Sequence, residues 1–206
     1  ALGDIDGAIR AFEFYAGACD KIQGDVFPLP RDYLSYSLQE PSGIAAQIIP
    51  WNFPLLMAAR KIAHVLVCGI TVVLKPAETT PLTALKLAEV IADAGLPPGV
   101  VNIVTGAGRT GAAIVEHPGV DKVAFTGSTN VGRSIQKALA GTGKKYTLEL
   151  GGKAANIIFD DAPIDAAVEG IINGIYFNQG HVCCAGSRLF VQETVYEEVL
   201  AKLKRR

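Results

Sequence analysis

The chain lacks any surplus of charge: 19 Lys and Arg stand against 20 Asp and Glu, and no basic stripe runs along it. A polyanion such as nucleic acid has nothing to bind to electrostatically, so nucleic acid is not expected as a partner. Long apolar runs are missing too. The longest candidate, Ile62 to Leu74, is interrupted by His64, Gly69 and Thr71 and falls short of the roughly 20 residues that span a bilayer, so no membrane is expected. Histidine is scarce, and His64 and His117 read as structural, leaving no metal constellation. Cysteine is scarce as well. Cys19, Cys68, Cys183 and Cys184 fit neither a disulfide framework nor a CxxC metal pair, and adjacent cysteines rarely bond to each other. Reduced thiols in a reducing, cytoplasmic compartment are the expectation. There are no internal repeats, no low-complexity segments and no signal-peptide pattern.

What is present is a globular composition, with half the 206 residues hydrophobic, enough for one substantial core or for one domain plus part of another. Both ends, Ala1 and Lys202 to Arg206, fall inside helical patterns, so an internal piece of a longer chain is expected. The periodicity predicts a helix over Ala8 to Ile22 and a half-exposed strand over Tyr33 to Leu38, followed by a strand over Gly43 to Ile49. The two strands together read as a projecting β arm, 33–48, after a helical segment, 1–32. Over 49–150, short apolar strands (Thr71 to Leu74, Val101 to Val104, Val123 to Phe125, Tyr146 to Leu150) alternate with helices (Pro54 to Val67, Pro81 to Ala94, Thr110 to Glu116, Ser128 to Leu139). Strands apolar on both faces must be covered on both faces. This predicts an α/β, Rossmann-like doubly wound parallel sheet, with ligands beyond the carboxyl ends of its strands. After Gly151-Gly152 the rhythm resumes with Ala155 to Phe159, Pro163 to Tyr176, Ser187 to Gln192 and Val195 to Lys204. Residues 151–206 are therefore read as the start of a second α/β domain.

Five segments follow strand or helix ends and can carry chemistry. Thr126-Gly127-Ser128-Thr129-Asn130-Val131-Gly132 brings a strand into a glycine and a hydroxyl at a helix start, where free N–H groups and the helix dipole favour a phosphate. It is neither GxGxxG nor a P-loop, and an ordinary Ser N-cap would look the same. Lys75-Pro76-Ala77-Glu78 offers a ribose two hydrogen-bonding partners, although two solvated charges in a loop are the simpler account of that segment alone. In Pro50-Trp51-Asn52-Phe53-Pro54, two prolines fix the backbone around an amide donor; an aromatic-anchored rigid loop is the plainer alternative. Glu149 stands between Leu148 and Leu150, and a carboxylate in apolar surroundings becomes a base near neutrality, whereas an outward-facing strand glutamate is commoner. Phe177-Asn178-Gln179-Gly180-His181-Val182-Cys183-Cys184 places two thiols in a loop after a helix. There a positive charge or N–H donors would generate a thiolate, or both thiols are inert and buried.

Each segment is ambiguous alone. In this order, Pro50-Trp51-Asn52-Phe53-Pro54, Lys75-Pro76-Ala77-Glu78, Phe125-Thr126-Gly127-Ser128-Thr129, Leu148-Glu149-Leu150-Gly151-Gly152-Lys153 and Phe177-x-x-Gly180-x-x-Cys183 resemble the aldehyde dehydrogenase superfamily over essentially the whole chain. The resemblance implies NAD as cofactor, a small-molecule aldehyde as substrate, and oxidation to the carboxylic acid through a cysteine thiohemiacetal and thioester. Cys183 would be the nucleophile, Glu149 the base that activates water, and Asn52 an oxyanion donor with the Cys183 N–H. Lys75 and Glu78 would hold the adenosine ribose, with Glu78 favouring NAD over NADP; Gly127, Ser128 and Gly132 would line the pyrophosphate site, and Trp51 would lie beside the cofactor. Residues Tyr33 to Ile48 resemble the family's oligomerisation arm, implying a homo-oligomer for the full-length protein. His181 departs from the family's Gln or Glu, and the chain is less than half the family's length, so these residues alone are expected to be inactive. Competing readings are an acylating or reductase relative that passes the thioester to coenzyme A or phosphate, a noncatalytic protein that keeps the fold, and a simple nucleotide-binding module.

Overall fold

The computed structural model describes residues 2–206, which form two compact units, one through Glu149 and one from Leu150 to Arg206. The first unit opens with helix α1 (Leu2–Ala16) and a short antiparallel pair, β1 (Val26–Phe27) and β2 (Ser35–Tyr36). It continues through β3 (Ile44–Ile48), α2 (Pro54–Val67), β4 (Thr71–Lys75), α3 (Leu82–Asp93), β5 (Val101–Ile103), α4 (Gly108–Glu116), β6 (Lys122–Gly127), α5 (Thr129–Leu139) and β7 (Lys145–Leu150). Among the described residues no helix is long and apolar enough to cross a membrane.

The central sheet has strand order β5-β4-β3-β6-β7, and β3 pairs in parallel with both β4 and β6. This is the doubly wound α/β arrangement expected from the alternating pattern. The strand over Gly43 to Ile49, expected in the projecting arm, is instead the middle strand of the sheet. The reason is burial on both faces: Ala45 and Ala46 are fully enclosed, and even Gln47 is buried between Leu74 and Ala124 of the neighbouring strands. The small side chain at 45 lets α2 approach with its own small stripe, Ala58, Ala59 and Ala63, around Ile62, while Ala46 points to the opposite face of the sheet. Of the expected arm, the part outside the central sheet joins the short β1–β2 pair, in which Val26 faces Tyr36 and Phe27 faces Ser35.

Helix α1 also ends earlier than its periodicity predicts. The chain leaves the helix at Gly17, whose N–H closes the last turn on the Glu13 carbonyl at 3.0 Å, and the missing Cβ removes helix propensity there. Helix α2 begins at Pro54, where a proline loses nothing because a first-turn N–H has no helical partner. The core gathers Ala45, Ile49, Ala58, Ile62, Val65, Val72, Leu74, Ala84 and Leu87; each large member contributes about 1.5–3 kcal/mol on burial.

The second unit contains β8 (Ala155–Ile158), α6 (Ile164–Tyr176), β9 (Arg188–Val191) and α7 (Tyr196–Arg205). Strands β8 and β9 pair in parallel, with α6 in the crossover. Asp165 and Glu169 of α6 are bridged to Lys202 and Arg206 at the end of the chain.

Candidate active site

Parallel register decides which loops become neighbours. Ile48, the last residue of β3, aligns with Lys75 at the end of β4 and with Phe125 near the end of β6. Adjacent strands lie about 4.8 Å apart, so the segments leaving these three strands emerge side by side. Strand order also reverses across β3 and β6, the place where connections to the two halves of a doubly wound sheet diverge and open a crevice. Trp51 and Asn52 follow β3, Lys75 closes β4 with Glu78 just after it, and Gly127, Ser128 and Gly132 lie from the end of β6 into α5. The fold thus gathers these sequence-predicted residues along one edge of the first unit.

At the end of β6, a Cβ on Gly127 would meet the Phe125 ring, so only glycine lets the chain turn tightly over it. Ser128 then takes an extended conformation and caps α5, its hydroxyl accepting from the Val131 N–H at 3.4 Å. Gly132 is buried in the first turn. Backbone N–H groups at such a helix start carry partial positive charge.

Lys75 is only 4% exposed. Its stem packs over Gly111 of α4, and its ammonium donates to the Pro76 carbonyl at 3.0 Å and stands 3.7 Å from the Glu78 carboxylate. The simpler picture of two solvated charges therefore holds for Glu78, which is exposed, and fails for Lys75.

Trp51 is half-exposed in the turn before α2, and Asn52 is half-buried beside it. Glu149 lies exposed at the end of edge strand β7, so the apolar setting expected from Leu148 and Leu150 is not formed around it by the first unit. A neighbour absent from the sequence reading is Lys61 on α2. Burial pushes its ammonium down from 10.5 to about 8; the Glu149 carboxylate opposes that shift and Lys122 of β6 adds to it. The signal was available as a cation on the apolar stripe of α2, between Ala58 and Ile62. Gln47 was missed too. Its amide donates to the Lys61 carbonyl at 2.8 Å, tying the middle strand to the helix that carries this lysine.

In the second unit, Cys183 and Cys184 occupy the two central positions of an exposed turn closed by the Ala185 N–H on the Val182 carbonyl at 3.0 Å. Both thiols are free and neither is buried, so the enclosed setting weighed for them is not formed. The turn follows three consecutive left-handed residues, Asn178 (φ 48°), Gln179 (φ 59°) and Gly180 (φ 77°). Non-glycine residues adopt this conformation at a cost of roughly 1–2 kcal/mol each. Here the bend is held by His181, whose N–H donates to the Asn178 carbonyl at 3.0 Å and whose carbonyl accepts from the Asn178 amide at 3.3 Å. These anchors are backbone groups of His181, so they do not depend on which side chain stands at that position. Gly152 packs against the Cys183 carbonyl at a distance that would put a Cβ 3.6 Å away. Among the described residues no group of three or more His, Cys, Asp or Glu side chains is placed to hold a metal.

Comparison with known proteins bears on the whole chain. The family model described as "Aldehyde dehydrogenase family" matches residues 1–206. Human "Retinal dehydrogenase 2" is 56% identical over 201 residues, covering 97% of this chain and 39% of that protein. Human "Aldehyde dehydrogenase, mitochondrial" is 54% identical over 203 residues, covering 98% of this chain and 39% of that protein. The solved NAD+ complex of aldehyde dehydrogenase from Bacillus cereus superposes with a TM-score of 0.96 at 49% identity, over 98% of this chain and 41% of that one. The chain spans about two-fifths of the length of these relatives. With the doubly wound sheet, the loops gathered at its reversal and a family match from end to end, the chain belongs to the aldehyde dehydrogenase family.

Proposed function

We propose that this chain carries the cofactor edge and the nucleophile of an NAD-dependent enzyme that oxidises an aldehyde to a carboxylic acid. The observation that supports this most is the register aligning Ile48 with Lys75 and Phe125, which gathers Asn52, Lys75, Glu78, Gly127 and Ser128 along one sheet edge. Those residues suit a dinucleotide. The tight approach at Gly127, the N–H groups after Ser128 and buried Gly132 leave backbone room for a pyrophosphate, and the Lys75–Glu78 pair suits ribose hydroxyls. Glu78 would repel a 2′-phosphate, which favours NAD over NADP. When bound, NAD supplies the acceptor for a hydride.

An aldehyde carbonyl has no leaving group, so a nucleophile must add before hydride can depart. The Cys183 sulfur first gives up its proton to solvent and then, as the thiolate, forms the new S–C bond, and the carbonyl oxygen becomes an oxyanion that the Asn52 amide and the Cys183 N–H stabilise. Re-formation of the C=O bond expels hydride and leaves a thioester on Cys183. Glu149 takes a proton from water as it adds to the thioester, the S–C bond breaks, and the acid leaves with the thiolate restored. A carboxylate in the Glu149 role favours water as acceptor over coenzyme A or phosphate.

The test uses the full-length protein and follows NADH formation. Cys183→Ala is expected to lower kcat by on the order of 10⁴-fold or more. Glu149→Gln is expected to keep a rapid first turnover of NADH and lose the steady state. Undiminished turnover by Cys183→Ala would overturn the mechanism. Equal turnover with NADP would overturn the reading of Glu78, and acyl transfer to coenzyme A in preference to water would overturn that of Glu149.

A further inference from the structure

A groove of about 460 Å³ runs between α1 and α2. Leu56 and Arg60 line it from α2, and Arg10, Ala11, Phe14 and Tyr15 from α1. Its lining is mostly apolar and its charges are of one sign: no lining residue is acidic, and among the described residues neither guanidinium makes an ion pair. Two unpaired cations sharing one groove repel each other, and an anion placed between them relieves that repulsion while gaining planar, two-pronged hydrogen bonds.

The groove also has a direction. Leu56 follows Asn52 by four residues, and Arg60 follows Leu56 by four, so the two lie one above the other on one face of α2. At 1.5 Å per residue, Arg60 lies about 9 Å along the helix from Pro54. The groove therefore leads away from the turn that holds the proposed oxyanion donor, first past an aliphatic side chain and then to the cations. The helices are close-packed beside it, because a Cβ on Gly7 would meet Leu56 at 2.9 Å. Tyr15 is braced by Phe14 edge-on at 5.2 Å and by His64 at 5.4 Å, which fixes the aromatic wall.

We propose that this groove receives the tail of the substrate and selects aldehydes whose far end carries a carboxylate, with an apolar chain of several methylenes between. The inference rests on the reading of Asn52 as the donor to the reacting carbonyl. Leu56 and Phe14 cover the methylenes, and Arg60 with Arg10 holds the terminal anion.

The experiment compares suberic semialdehyde with its methyl ester, using the full-length protein and NAD. The acid is expected to show a kcat/KM about tenfold above that of the ester, the ratio that one retained charged hydrogen bond provides. That ratio should fall toward one in Arg60→Gln and in the Arg10→Gln/Arg60→Gln pair, and should narrow in wild type as salt is raised. A wild-type ratio of one or below, or a ratio that survives the double substitution, overturns the proposal. Calorimetric binding of suberate against its monomethyl ester separates the two levels of inference. Preferred suberate binding without NADH formation from either aldehyde would sink the proposed activity and leave the groove's selectivity standing. Turnover of both aldehydes with no preference in rate or binding would do the reverse.

Discussion

The two units share a βα rhythm and differ in how well that rhythm is covered. In the first, Val72, Leu74 and Val123 are fully enclosed and the middle strand is buried from Ala45 to Gln47. In the second, β8 and β9 stand as a pair, with Ile157 and Phe159 each 60% exposed and Phe190 51% exposed. The Arg188 guanidinium lies 5.6 Å from the Phe190 ring centre and offers part of that ring a cation–π contact. A parallel sheet is stable when both faces are covered, and two strands fall short of the number that supports itself. The proposed cofactor edge is thus held by a finished core, whereas the proposed nucleophile belongs to a unit whose strands present bare apolar faces. Local sequence is enough to shape the Cys183 turn, but a rigid position for it requires more cover than these two strands possess.

The strongest way to break that comparison is to study the 206-residue segment by itself. Amide hydrogens of β3, β4 and β6 are expected to exchange on the order of a hundredfold or more slowly than those of β8 and β9, because exchange reports local opening. Aldehyde-dependent NADH formation by the segment is expected to be absent. Equal protection of the two sheets, or robust turnover, would remove the distinction between a finished and an unfinished unit.

Most of the secondary structure was legible because apolar periodicity and turn residues agree. Pro54 to Val67 was read with its observed boundaries, since a first-turn proline and a Cys68-Gly69 stop frame it. The middle strand was misplaced for a reason that periodicity cannot repair. A five-residue run holding Gln47 looks half-polar, and only its neighbours on both sides enclose that amide. The segments around Asn52, Lys75 and Ser128 were marked out because turn chemistry is local, although each was ambiguous alone and the roles expected of them came from the family resemblance. Lys61, Arg10 and Arg60 were not, because what distinguishes them from ordinary helix cations is which face is turned toward a sheet or a groove, and that depends on pairing between distant segments.

Lys61 is the misfit in the well-built unit and sharpens the contrast from the other side. Its folded-state value, about 8, lies below its unfolded value of 10.5. Between these limits the unfolded chain keeps a proton that the folded chain has lost, so stability rises with pH through that window and the full penalty is present below about pH 8. One unit corresponds to about 1.36 kcal/mol, which bounds the penalty at roughly 3 kcal/mol, less whatever solvent at the rim of the site relieves. Lys61→Met in the full-length protein is therefore expected to raise the thermal midpoint at pH 7 and to lose that advantage near pH 10.5. An equal gain at both pH values would trace the effect to packing and not to a buried charge.

The smallest expected effect concerns Ser128, where structure and proposed function use the same atoms. Its hydroxyl is a long cap, 3.4 Å from the Val131 N–H, and the remaining turns of α5 are anchored by buried Ile135 and Leu139. Replacing an N-cap by alanine costs about 0.5–2 kcal/mol, and the length of this bond places Ser128→Ala at the lower end. The thermal midpoint should hardly move, since the core of the first unit does not depend on the cap. The KM for NAD should rise severalfold, because the orientation of the first N–H groups of α5 is what a pyrophosphate would read. A loss well above 2 kcal/mol would mean that the cap holds the β6–α5 junction itself, and that the cofactor edge rests on its own loop instead of on the finished core beneath it.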